Sequence, residues 1–417
     1  MAHAETAEPI ETRLARAGLP PLRRTAWIEI DGDALAANLA ILRELGGGGL
    51  VMPVVKADAY GHGMVPVARI LAAAGADLLC VATLDEAIAL HDAGIRTPLL
   101  VLYPVAPDSV GEAARRGIGI AAGAATMLDA VLEVATRQGV AADLTIELEV
   151  ETGLGRGGVA PPEVVTAARR ILAAGARIGG VWTHLQEAEI DGITTAQVAA
   201  YEDALGRLAA ARIDVPRRHL AASAAILLGN VPRYDAVRPG LATFGLIPDE
   251  LAAAGIGLTE LAPAAAALRP VLALRARPVR VTDLATGHGV SYGPTWRAPR
   301  PSRIATLPIG YGDGWPRSLS NRAEVLVRGR RVPVVGNVAM DATMIDVTDV
   351  PGPPVDVADE VVLIGRQGDA EITAGEVARW RTTNSWEVVT ALSARLTRVY
   401  DAAAGLTDSR PLAQETS

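Results

Sequence analysis

The sequence predicts a (β/α)₈ barrel followed by a mostly-β domain, and three features carry that reading. Short, continuously apolar segments alternate with helix-period segments from Arg24 to about Pro263. The texture then changes to β-rich runs broken by Gly, Pro and Asp. At 417 residues the chain also exceeds one ordinary domain, while a barrel alone fills about 200–250. The alternation starts with "LVMPVVKA" (50–57), a buried strand, and "MVPVARILAAAGA" (64–76), a helix. "LLCVAT" (78–83) is the next strand, and "LDEAIALHDAG" (84–94) a helix that Gly94 can close. "PLLVLYP", "GIGIAAG", "LTIELEV", "RIGGVWTHL" and "RRHLAAS" continue the series, separated by Ala-rich helical stretches such as 161–174 and 196–212. Strands apolar on both faces belong to a parallel sheet covered by helices, and about eight such units favour closure into a barrel.

Beyond Pro263, "VLALRARPVRVTDL", "RIATLPIG", "AEVLVRGRRVPVVG", "ATMIDVTDV" and "DEVVLIGRQG" read as strands. The expected organisation is a loose tail over 1–24, the barrel over 25–263, a mostly-β domain over 264–404 and a loose tail over 405–417. The first strand has the option of packing with the β domain.

Composition narrows the function. The formal net charge is −8 and no dense Lys/Arg cluster occurs, which argues against nucleic-acid binding. The single cysteine, Cys80, rules out an internal disulfide framework and a thiolate metal cage. The first 24 residues lack the apolar core of a signal peptide, and no apolar run reaches the roughly 18–20 residues of a membrane helix. A cytoplasmic location is expected. No metal site is expected, because His62, His184 and His219 are not grouped with carboxylates at ligand spacing.

Barrel enzymes place their chemistry at the C-terminal ends of the strands. Lys56, Glu149, Arg156, His184, Ser223 and Arg238 all fall at or just beyond such ends. Taken singly, each is a solvated polar group at a strand terminus. Together they would converge on one mouth. "VVKADAYGHG" (54–63) is the most pointed of these segments, since it ends an apolar run on a lysine and follows it with a Gly-His-Gly turn.

That segment resembles the cofactor-lysine motif of the alanine racemases, which are pyridoxal-phosphate (PLP) enzymes. The resemblance continues through "ETGLGRGG" (151–158), "WTHL" (182–185), "HLAASAA" (219–225), "VRPGLATFGL" (237–246), "GHGVSYGPTW" (287–296), "LPIGYGDGW" (307–315), "NVAMDATMIDVT" (337–348) and "RLTRVY" (395–400). It covers roughly residues 25–400, in order. It implies an amino-acid racemase, alanine being the default substrate, working as a head-to-tail homodimer with shared sites. Racemisation needs acid/base groups on opposite sides of the reacting carbon. The resemblance gives those roles to Lys56, which also carries PLP, and to Tyr292 of the partner subunit. It assigns the phosphate to Tyr60, the Ser223 hydroxyl, the Gly240 and Leu241 amides and the position of Trp386. Arg238 would face the pyridine nitrogen, with His184 between it and Tyr292. Arg156 would meet the cofactor's phenolic oxygen and the substrate carboxylate, which the Met340 amide and Tyr311, both of the partner subunit, would also hold.

An arginine cannot surrender its proton at ordinary pH, so it leaves the pyridine nitrogen unprotonated, whereas decarboxylases of this barrel class use a carboxylate there. Arg238 therefore favours racemisation. The decarboxylase alternative also lacks a partner-subunit cysteine, and a non-catalytic PLP carrier would lack the β domain. Several positions depart from the family pattern. Glu149 stands where a carbamylated lysine is common and is expected to hold Arg156 by charge. Ala222 replaces an asparagine, Phe244 a tyrosine, Asn337 an arginine and Trp386 a tyrosine, and Glu187 lies where small residues line the entrance. These changes point to a reshaped gate, so a diverged member acting on another amino acid, or one without racemase activity, stays open. The pathway, cell wall or specialised, stays open as well.

Overall fold

The computed structural model describes residues 8–403 and 405–409, so the outermost parts of the two expected tails lie outside the described residues. The chain forms two compact units, one of residues 34–60 and 64–269 and one of residues up to 33, 61–63 and 270 onward.

The first unit is the barrel. Its eight parallel strands are Leu50–Val51, Leu79–Val81, Leu99–Val101, Gly119–Ala122, Thr145–Glu149, Arg177–Trp182, Arg218–Ala222 and Ala236–Arg238. The last pairs with the first, and a Val54–Cys80 bridge closes the ring on the other side. Leu79–Val81 and Leu99–Val101 are buried at every position, as strands covered on both faces must be. The surrounding helices bury one stripe each. In Ala125–Arg137 it is Leu128, Val131, Leu132, Val134 and Ala135, and in Val164–Ala173 it is Val164, Ala167, Ala168 and Ile171. That i, i+3, i+4, i+7 spacing lets an alanine-rich chain build a wide core with few aromatics.

The compact units fix two boundaries. The barrel unit runs on to Arg269 rather than stopping at 263. The buried Asn38 accounts for this: its amide donates to the Arg269 carbonyl at 2.9 Å and accepts the Arg269 N–H at 3.0 Å. At the other end, the strand Ala26–Asp31 belongs to the second unit, pairing antiparallel with Leu272–Ala276 and parallel with Thr397–Ala402.

The second unit is mostly β. Its main sheet also holds Glu324–Val327, Arg330–Pro333 and Val361–Gln367, and a separate three-stranded sheet is made of Arg280–Leu284, Ser302–Leu307 and Thr343–Asp346. The described parts of the tails are not loose. Ile10–Arg16 is a helix whose Ile10 and Leu14, one turn apart, bury against Trp27 and Val399. Glu11 pairs with Arg277 at 2.7 Å, and Arg13 with Asp401 at 2.8 Å. Gly405–Ser409 adds a strand beside Thr397–Ala402, and Leu406 packs on the same cluster.

Residues Gly61–Gly63 also belong to this unit. The Tyr400 hydroxyl donates to the His62 carbonyl at 3.0 Å, and Arg398 Nε donates to the Gly61 carbonyl at 2.9 Å. The rest of the Arg398 guanidinium serves the carbonyls of Leu392, Ser393 and Leu396. A Cβ on Gly61 would strike the Val389 carbonyl, and one on Gly63 the Tyr400 hydroxyl, so both positions must be glycine. The "GHG" and "RLTRVY" segments are thus two halves of one clasp. Among the described residues no helix is long and apolar enough to cross a membrane.

Candidate active site

The barrel mouth begins at Lys56, which directly follows the closing strand segment. Ala57, Asp58, Ala59 and Tyr60 then all take left-handed backbone angles, with φ between 52° and 54°. Each non-glycine residue in that region costs roughly 1–2 kcal/mol, so the turn has to be held from outside. Glu86 does part of this. Its carboxylate accepts the Ala57 amide at 2.6 Å while capping its own helix through the amides of Ala82 and Thr83. Asp58 accepts the Met64 amide at 2.7 Å.

Burial, and then the Arg156 charge, hold the Lys56 amine below its ordinary range, with Glu86 opposing them. Lys56 Nζ lies 5.8 Å from the centre of the Tyr103 ring, and the Arg156 guanidinium lies 5.3 Å from it. Tyr103 is therefore the aromatic spacer between two cations. The Arg156 loop is fixed by Glu151, which accepts the amides of Gly153 and Gly155, and by Thr152, whose hydroxyl bonds that of Thr183 at 2.7 Å. Gln197 ties this loop to the His184 carbonyl.

Arg238 is 2% exposed and spans the floor of the mouth. One amino group donates to the Thr183 carbonyl at 2.9 Å and approaches His184 Nδ1 at 3.4 Å; the other meets His219 Nδ1. The guanidinium also stacks 4.6 Å above the Trp182 ring. His219 Nε2 then bonds the buried Glu147 carboxylate at 3.1 Å, and Glu147 pairs with Arg217. With Nδ1 accepting from Arg238, His219 must carry its single proton on Nε2 and donate it to Glu147. Burial and then, for His184, the Arg238 charge push the imidazoles down, His184 to about 3 and His219 to about 4. Both are neutral, and Arg238 stays the cation.

Glu149 is 5% exposed, and burial raises its carboxyl to about 7 against the pull of Arg156 and Arg238. Among the described residues no ion pair joins Glu149 to Arg156, so the charge expected to hold that arginine acts without direct contact. Arg156 is exposed and lies against Tyr103, while Glu149 sits beneath the loop, close to Gly157 and Gly123. Its charge reaches Arg156 through space.

An anion cradle lies beside these groups. Ser223 Oγ accepts the amides of Gly240 at 3.0 Å and Ala242 at 3.1 Å, which occupies both its lone pairs and leaves its O–H to donate. The Gly240 amide thus donates to Ser223 Oγ. A Cβ on Gly240 would lie 2.6 Å from the Tyr60 hydroxyl and 3.9 Å from Ser223 Oγ, so the space is shaped by the missing side chain. Two hydroxyls, the Leu241 segment and a neighbouring depressed lysine suit a group that is aldehyde at one end and phosphate at the other. The residues fit PLP.

The second unit presents the other expected residues on its own surface. Tyr292 is 77% exposed, Met340 53% and Tyr311 44%, while Trp386 is half-buried in the short helix Ser385–Thr390. Sequence reasoning missed Tyr103, Glu86, Glu147 and the relay role of His219. Tyr103 ends an apolar strand just as Lys56 does. Glu147 shares a strand face with Glu149 by the period of two, a signal the quoted "LTIELEV" already carried. Cys80 is a core residue whose thiol burial pushes up to about 12, which leaves it inert.

The family models for the alanine racemase N-terminal and C-terminal domains match residues 30–248 and 271–400. The chain is 43% identical to the alanine racemase of Symbiobacterium thermophilum over 381 residues, covering 90% of this chain and 97% of that one. It is 38% identical to the alanine racemase of Halothermothrix orenii, covering 91% and 97%. Among solved structures, the alanine racemase of Bacillus anthracis with bound L-Ala-P superposes with a TM-score of 0.85 at 33% identity, covering 94% and 99%. That of the D-cycloserine-producing Streptomyces lavendulae gives 0.81 at 33%, covering 92% and 98%.

Proposed function

The chain belongs to the alanine racemase family, and from that premise we propose how its own residues interconvert L- and D-alanine. It is an isomerase of small amino acids. PLP, when bound, supplies the electron-withdrawing ring that acidifies the Cα–H bond. Lys56 is its covalent anchor, Ser223, Tyr60, Leu241 and Trp386 take the phosphate, and Gly240 allows the close approach. Arg238 donates to the pyridine nitrogen.

The Lys56 amine moves a proton at Cα from one face, and the Tyr292 phenol of a second copy moves one from the other. Arg156, Tyr311 and the Met340 amide hold the substrate carboxylate. The molecule is a homodimer with shared sites, acting in the cytoplasm. The observation that carries this reading is the state of Arg238. Its guanidinium is buried between two neutral imidazoles and, among the described residues, no carboxylate pairs with it; burial lowers its pKa, but a guanidinium starts so high that it keeps its proton and does not pass it to the cofactor.

The test is incubation of the PLP-loaded protein with single L-amino acids in deuterated water. Deuterium at Cα together with the D-isomer is expected for alanine, ahead of serine, ornithine, lysine and arginine. Carbon dioxide release, or a preference for another amino acid in that panel, would overturn the corresponding part. The second outcome would return weight to Trp386 and the exposed Glu187 as a reshaped entrance.

A further inference from the structure

We propose that Asn337 is the positioning residue of Tyr292, setting the reach of the second base; this rests on the two-base reading above. Tyr292 sits at the tip of a hairpin made of Gly289–Val290 and Trp296–Arg297. Two residue pairs are too few to hold a tip in place. The tip is moreover wound through left-handed backbone on both sides of the tyrosine, with φ of +66° at Ser291 and +50° at Gly293. For Ser291 that conformation is unfavourable and needs external support.

Asn337 supplies it. The residue is 9% exposed, and its Nδ2 donates to the carbonyl of Tyr292 itself at 2.8 Å and to that of Gly293 at 3.3 Å. Its Oδ1 faces the Thr295 hydroxyl at 3.4 Å, and its backbone carbonyl accepts from Ser291 Oγ at 2.6 Å. Both N–H donors and one lone pair of this side-chain amide are spent on Tyr292 and the residues beside it. Asn321 braces the arrangement from behind. It donates to Thr295 Oγ1 at 2.9 Å and accepts the Gly336 amide at 2.7 Å.

The chemistry explains why an amide is required. Two carbonyls on adjacent residues must be met by two N–H groups on one atom, and the third contact needs an acceptor. A carboxylate of the same shape offers no donor, and an aliphatic side chain offers neither. Asn337 also lies three residues before Met340, so a single side chain links the base loop to the segment assigned to the substrate carboxylate.

The test uses Asn337→Asp, which keeps the shape and the acceptor, beside Asn337→Ala and the reference Tyr292→Phe, all as PLP-loaded enzyme. Amide hydrogen exchange over 290–296 should quicken at least about tenfold in both Asn337 variants, a readout that does not depend on turnover. Cα-proton exchange into deuterated water is then followed from each alanine enantiomer separately. Exchange from the enantiomer served by Tyr292 should fall about tenfold or more, and exchange from the one served by Lys56 should stay within about twofold. Equal losses for the two enantiomers, no loss for either, or unchanged amide exchange in the hairpin would overturn the proposal. If Asn337→Ala fails to load PLP, Asn337→Asp alone decides. If Tyr292→Phe itself shows no asymmetry, the two-base reading falls. If Tyr292→Phe is asymmetric and the Asn337 variants are not, only the role of Asn337 falls.

Discussion

The barrel mouth and the hairpin surface of the β unit are built on opposite principles. At the mouth the groups beneath Arg156 and Tyr103 are sunk in protein and tied to one another. Arg238 is 2% exposed and Glu149 5%, and the chain Arg217–Glu147–His219–Arg238–His184 is hydrogen-bonded or charge-paired at every link. On the β unit, Tyr292, Tyr311 and Met340 are exposed, and the backbone at Tyr292 is braced from beneath. The first region tunes its groups electrostatically, since low dielectric makes each neighbour count. The second holds position alone and waits for its surroundings. On the proposed reading, this set of side chains is half of a site and takes its walls from a second copy.

The largest expected effect comes from the buried half. Lys56→Ala removes the proposed covalent anchor and the proposed base together, and should lower racemisation by roughly 10⁴-fold or more, measured by circular dichroism of alanine. A loss below about 100-fold would mean that another amine serves the mouth.

Within the β unit, stability should divide between buried and exposed positions. Arg398→Ala leaves three buried carbonyls and one half-buried carbonyl without their donor and is expected to cost about 3 kcal/mol by denaturant unfolding. Exposed Tyr311→Ala should cost under about 0.5 kcal/mol, so equal losses would erase the contrast.

A smaller effect probes the carboxylate beneath the loop. Glu149→Gln should raise the Michaelis constant for alanine about tenfold, about 1.4 kcal/mol, while kcat changes less than about threefold. Unchanged kinetics would show that its charge does not reach Arg156. Because burial raises this carboxyl to about 7, the variant should approach wild type as pH falls through that value and Glu149 itself becomes neutral.

The subtlest effect concerns Lys56. A lowered pKa means that the free amine appears at lower pH than an ordinary lysine's, so the rate of PLP uptake by the apo-protein should rise to its half-point below pH 10.5. Glu86 favours the charged amine, so Glu86→Gln should move that half-point further down. A movement upward would contradict the assignment of Glu86.

Much of this was legible in the sequence, and the physical reasons differ by region. The barrel could be read because parallel strands are apolar at every position, so a polar residue at a strand end stands out, as Lys56 and Arg238 do. The relay behind Arg238 was hidden by the same rule. Glu147 and His219 lie within strands, where polar residues contradict the expected pattern and pass as noise. The helix Ile10–Arg16 was missed because only Ile10 and Leu14 mark its buried stripe. The clasp of Arg398 and Tyr400 on Gly61 and His62 joins residues more than three hundred positions apart, which spacing cannot reveal. Asn337 showed itself only as a departure from the family pattern, and its hydrogen bonds give that departure a physical meaning.

The central claim is that one copy's buried half is completed by another copy's exposed half. Mixing inactive Lys56→Ala and Tyr292→Phe proteins under conditions that exchange subunits tests it directly. Random pairing makes about half the dimers mixed, and each of these regains one intact site of two, so activity should climb to about a quarter of wild type. A mixture that stays as inactive as its parents would show that Lys56 and Tyr292 act within the same chain, and would contradict the account.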